Sequence, residues 1–175
     1  MDSFLDQCGL LGQQPVITQN CNYVKPAEGK PLLLSFDDVT TLFHEFGHAL
    51  HGMLSRQEYP LFAGTATATD FVEFPSQINE ALATDPAVLA HYARHYKTRE
   101  PMPAVLLEKM KGARKFNQGY LTSEYLAAAL LDIEWHSLGA DAPLVTDVAA
   151  FERAALEKYG LFNAHVPPRY KTNYF

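Results

Sequence analysis

His44-Glu45-Phe46-Gly47-His48, set within the run Thr41 to Leu54, T-L-F-H-E-F-G-H-A-L-H-G-M-L, decides how this 175-residue chain is read. Two histidines four apart on a helix leave the same face on consecutive turns, near enough for both imidazoles to reach one Zn²⁺. Glu45 then lies beside the metal, where a carboxylate can take a proton from water that the metal has made acidic. Five residues of this kind also arise by accident, because Glu and His are ordinary helix residues, so the surroundings have to decide. Turned at about 100° per residue, the helix places Val39, Leu42, Phe43, Phe46, Leu50 and Met53 on one apolar stripe, with His44, His48 and His51 nearly opposite. Upstream, Ser35-Phe36-Asp37-Asp38 is a Ser-x-x-Asp start whose acids favour the positive end of a helix dipole.

An open catalytic zinc site takes three protein ligands and keeps a fourth position for water. Glu73, 25 residues beyond His48, is the best third candidate. Helical spacing over 70–83 puts Asp70, Glu73, Gln77 and Glu80 on one face and Phe71, Ile78 and Leu82 on another. Glu73 would bind the metal and its polar neighbours would hold the ligand side chains in place. Pro75 conflicts with a helix beginning at Asp70, so either the start is later or the helix kinks there.

The segment Thr41–Leu54, followed by Gly64-Thr65 and Asp70-Phe71-Val72-Glu73-Phe74-Pro75-Ser76-Gln77, resembles the thimet oligopeptidase family of zinc peptidases. Met1 to Phe4 and Lys30 to Glu80 look most like its bacterial peptidyl-dipeptidase branch, which releases carboxy-terminal dipeptides. The likeness continues through Phe116 to Tyr120 and Pro167 to Tyr170 as far as Phe175. It implies a mainly α, zincin-like helical catalytic core with at most a short edge strand near the N-terminus. It also implies Zn²⁺ held by His44, His48 and Glu73, with Glu45 as general base in the hydrolysis of short peptides. Two alternatives stay open: an oligoendopeptidase of the same family, and a zinc-binding helical fragment that is no enzyme by itself. Members of the family are several times longer, so residues 1–175 are expected to be the zinc-binding catalytic core of a larger oligopeptidase fold. The family's later Gly- and Tyr-rich segment, which binds substrate and stabilises the oxyanion, has no counterpart here. The chain alone is therefore expected to be a weak peptidase, and to self-associate through surfaces exposed by truncation.

A net charge of −6 with no basic cluster argues against a nucleic-acid partner. No apolar run is long enough to span a bilayer, which argues against a membrane partner. Cys8 and Cys21 are too few for a disulfide framework and fit reduced thiols in a cytoplasmic protein. Residues 1–34 read as irregular, punctuated by Gly and Pro, with Val16 to Tyr23 the one plausible strand. Thr18 to Tyr23 is either an edge that pairs with substrate backbone or a strand with no such role. Phe62 to Thr69 is either a mobile loop or a plain connector. Helices are expected over 85–98, 103–118, from about Thr122 to Leu138, and over 147–159, closing at Gly160. His91 and His95 repeat the four-residue spacing but lack an adjacent acid and a third partner, and Trp135, Tyr120 and Tyr125 read as packing residues.

Overall fold

Ser35 starts the helix that carries the motif, α1 (Phe36–Met53). Its hydroxyl accepts from the Asp38 amide at 3.1 Å while Asp38 Oδ2 accepts from the Ser35 amide at 2.9 Å, an aspartate version of the reciprocal cap. In the computed structural model, which describes residues 1–175, this helix belongs to the first of two compact units, Met1–Met102 and Pro103–Phe175. The architecture is mainly α: six helices and one two-stranded sheet.

In the first unit, β1 (Asp2–Leu5) pairs antiparallel with β2 (Val16–Thr18), placing Ser3 opposite Ile17, with an irregularity between Ser3 and Leu5. The expected strand is thus three residues long and stops at Thr18. Its partner falls in the stretch expected to be irregular, because a four-residue strand whose pairing residues lie more than ten positions away has little local signature. β2 seats Ile17 against Gly52, where an added Cβ would lie 2.8 Å from Ile17 Cδ1. Gln19 then donates to the Leu42 carbonyl at 3.2 Å and ties the following chain to the middle of α1.

The side of α1 that is buried is not its large apolar stripe. Leu42, Phe46 and Met53 are 37%, 45% and 44% exposed, whereas the fully buried positions are Gly47, Ala49 and Gly52. The reason is α2 (Phe74–Glu80), which approaches so closely that a Cβ at Gly47 would stand 2.5 Å from Ser76 Cα. The helix expected from Asp70 begins four residues later. Phe71 to Glu73 form a turn, with the Phe71 and Val72 amides both donating to the Ala68 carbonyl. Pro75 then falls in the first turn of α2, where its missing N–H leaves nothing unsatisfied. Between α1 and this turn, Ala63 is buried and the Gly64 amide donates to Ser55 Oγ at 3.0 Å, so the 62–69 segment is tied down near its start.

Helix α3 (Pro86–Tyr92) starts at the Asp85 cap as expected but ends six residues early. After Tyr92 the chain folds back on itself. His95 N donates to Glu100 O, Met102 N donates to Ala93 O, and Arg99 turns the corner at φ 63°.

In the second unit, α4 (Ala104–Ala113) stops before Asn117, whose left-handed φ of 58° breaks the run expected to reach Gln118. α5 (Gln118–His136) starts at once, earlier than Thr122, and packs on α6 (Val148–Lys158). Ala127, Leu131, Ala155 and Leu156 are buried there. Trp135 is a packing residue: its ring lies 4.0 Å from that of Phe151, and its indole N–H donates to Thr172 Oγ1 at 2.8 Å. Tyr125 is not, being 73% exposed, and Tyr120, 43% exposed, lines an open cleft with Ala127 and Leu161. Asp147 caps α6, and Gly160, at φ 68°, closes it. No helix of the chain is long and apolar enough to cross a membrane.

Candidate metal centre

On α1 the imidazoles of His44 and His48 stand edge to face with centroids 4.9 Å apart, as the four-residue spacing requires. Glu73 ends the turn before α2, and its carboxylate does not cap that helix but reaches across to α1. Glu73 Oε2 lies 3.2 Å from His44 Nε2 and 3.1 Å from His48 Nε2. Neighbouring donors on a tetrahedral zinc with bonds near 2.0–2.1 Å stand about 3.3 Å apart, so the carboxylate oxygen has the spacing of a co-ligand to each nitrogen, and all three atoms lie within 4.8 Å of one another.

The second nitrogen of His44 sharpens the chemistry. Nδ1 lies 2.7 Å from Glu80 Oε1. An ionised carboxylate only accepts, so Nδ1 carries the hydrogen and Nε2 of the neutral ring is left with a lone pair. That lone pair faces another acceptor, Glu73 Oε2. Two acceptors at this distance repel unless a cation lies between them, and the oxygen faces His48 in the same way. The residues present therefore fit a metal ion. The ring of His48 is only 13% exposed, and its Nδ1 has no partner within the chain.

Glu45 stands apart from this cluster of three. Its Oε2 lies 2.5 Å from Met1 N. Asp70 and Gln77, expected beside Glu73, make no side-chain hydrogen bond, whereas Glu80 does so through His44. His51, one turn beyond His48, turns away from the cluster. Its ring meets Phe71 edge-on at 6.1 Å, and burial, with a smaller effect of His48, lowers its pKa. A cavity of about 830 Å³ opens on that side, against His51, Phe71, Phe74 and Ile78, and none of the three converging residues lines it.

Two side chains that matter to the cluster carry no pattern in the sequence. Ser76 and Asn79 are buried polar residues, 0% and 8% exposed, on the face of α2 against Gly47. Asn79 Nδ2 donates to the carbonyl of Phe43, the residue before His44, at 2.6 Å. Ser76 Oγ lies 2.8 Å from Glu73 Oε2. A serine and an asparagine three apart on a short helix look like surface residues until the glycine opposite is known.

A histidine pair on one helix, joined by a glutamate that begins the next, is a metallopeptidase type of site, and the sequence agrees. The chain matches the model of peptidase family M3 over residues 1–175 and belongs to that family. It is 52% identical over 175 residues to the dipeptidyl carboxypeptidase of Escherichia coli (strain K12), covering 100% of this chain and 26% of that protein. Identity to the Salmonella typhimurium dipeptidyl carboxypeptidase is 51% over the same span and share. The mitochondrial intermediate peptidase of Botryotinia fuckeliana is 41% identical over 138 residues, 78% of this chain and 17% of that protein. The chain thus spans about a quarter of the length of the bacterial relatives it matches.

Proposed function

We propose that this chain is the zinc-holding part of a metallopeptidase that hydrolyses short peptides, with His44, His48 and Glu73 as ligands and Glu45 as general base. The observation that carries the reading is the convergence of two imidazole nitrogens on one carboxylate oxygen at 3.1 and 3.2 Å. Zinc held there supplies Lewis-acid polarisation of a peptide carbonyl and makes water acidic enough to give up a proton near neutral pH. Glu45 accepts that proton on a carboxylate oxygen and passes it to the departing amine nitrogen. Glu80 keeps His44 in the tautomer that leaves Nε2 free to bind. The finer activity follows the relatives called dipeptidyl carboxypeptidase, so the substrates are peptides that lose a carboxy-terminal dipeptide. Cleavage at an internal bond is the second reading. Mass analysis of cleavage products separates the two.

Zinc content after purification without chelator tests the centre. One zinc per chain is expected, with binding weakened by Glu73→Ala and retained by Glu45→Gln. A Glu73→Ala chain with undiminished affinity overturns the ligand assignment. Unpaired Cys8, buried, and Cys21 suit a reducing, cytoplasmic setting. Apolar side chains such as Phe4, Leu61 and Phe116, 79%, 74% and 83% exposed, favour self-association, which light scattering would show as species larger than a monomer.

A further inference from the structure

We propose that Ser76 is a positioning residue for the metal centre: its buried hydroxyl fixes the rotamer of Glu73 and so aims Oε2 at the two histidines. The inference rests on Glu73 being a ligand.

Glu73 is not held in place by burial. Its side chain is 50% exposed, and it sits in a turn ahead of α2, where the most favourable use of a carboxylate is to cap the free N–H groups of the helix. It does not do so, and no side-chain hydrogen bond to those amides is made. The carboxylate is instead turned toward α1. The group that holds it there is Ser76, three residues on, which reverses the usual Ser-x-x-Glu pairing into Glu-x-x-Ser. In the usual pairing the first residue bonds the third helical amide; here the third helical residue donates its side chain to the first.

Ser76 is able to do this because it cannot move. It is 0% exposed, and its Cα is the atom that a Cβ at Gly47 would strike at 2.5 Å. The hydroxyl has one hydrogen and two acceptors in reach, Glu73 Oε2 at 2.8 Å and Glu73 O at 2.9 Å. The carbonyl already accepts from the Gln77 amide at 2.9 Å and is neutral, whereas Oε2 belongs to a carboxylate, the stronger acceptor of the two. The hydrogen therefore serves Oε2. A carboxylate oxygen has two lone pairs, so one can take the O–H while the other faces a cation. Because the Gly47 contact fixes Ser76 against α1, the helix bearing the histidines and the rotamer of the glutamate are set by one packing point.

The test is a double-mutant cycle on the full 175-residue chain, read as zinc affinity by competition with a chelating dye, with Co²⁺ absorption as a second readout. Ser76→Ala removes the hydroxyl and little volume. It is expected to weaken zinc binding roughly 10–100-fold in the parent chain, to alter the visible Co²⁺ bands, and to change affinity less than twofold when Glu73 is already Ala. A loss of equal size in both backgrounds would mean a general packing defect and would overturn the proposal. So would an unchanged affinity in the Ser76→Ala chain while Glu73→Ala lowers it. If Glu73→Ala itself left zinc affinity intact, the ligand reading would fall first and this inference with it.

Discussion

Glu80 does for His44 what nothing in the chain does for His48. Its carboxylate takes the Nδ1 hydrogen at 2.7 Å and leaves Nε2 as the basic nitrogen, while His48 Nδ1 is buried without a partner. The two histidines are therefore expected to respond differently to loss of a neighbour. Glu80→Ala should weaken zinc binding roughly 10–100-fold with little change in helix content, and zinc affinity beside far-UV circular dichroism checks both. An affinity within twofold of the parent would show that the tautomer of His44 is not set by Glu80. At this scale much of the cluster was legible in the sequence. His44 and His48 follow from helical periodicity, which is local, and Glu80 fell on the acid face that included Glu73. Ser76 and Asn79 were not legible, since their roles depend on a glycine about thirty positions earlier in the chain.

Helices α1 and α2 meet through Gly47, and there two effects of substitution oppose each other. Alanine is a better helix former than glycine by about 1 kcal/mol, but its Cβ would press on Ser76 Cα and the Pro75 carbonyl, both backbone atoms. Overpacking of this kind costs about 1–3 kcal/mol or more, so Gly47→Ala should destabilise on balance and weaken zinc binding as the helices separate. Urea denaturation with and without zinc measures both, and a more stable Gly47→Ala chain would refute the close approach. The start of α1 has its own signature. The Ser35 side chain, then the Ser35 amide, hold the Asp38 pKa below its ordinary value of 3.8. A lowered folded pKa means that this contribution is fully present above the unfolded value and disappears as pH falls through the folded one. Helicity of the parent chain should thus decline below about pH 4 more steeply than that of Asp38→Asn, as followed by circular dichroism. Helix starts such as Ser35, Asp85 and Asp147 were readable because caps are local. The early end of α3 was not, because a backbone fold-back, Met102 to Ala93, stops it.

Across the whole chain, the mainly α class was readable from helical spacing and caps, whereas the choice of buried face was not. The stripe of large apolar residues on α1 is partly exposed because small residues permit the closer helix contact, a property of the pair and not of either sequence. The same geometry has a mechanical side. His48 and Glu73 are 25 positions apart, so an ion held between them is a clip that closes a loop running through the 62–69 connector. The ion binds the folded chain and not the unfolded one, so removing it takes away one fastening of that loop and the stability that binding adds. At about a hundred times its dissociation constant such an ion adds about 2.7 kcal/mol, or roughly 10–20 °C in the melting temperature of a unit of this size. A chelator should erase that margin and speed proteolytic nicking between Ser55 and Val72. A nicking rate indifferent to the chelator would mean that the loop is fastened by protein contacts alone. The ion at the centre of the chemistry would then be a fastener as well as a reagent, and metal supply would govern how long the protein survives as well as how fast it works.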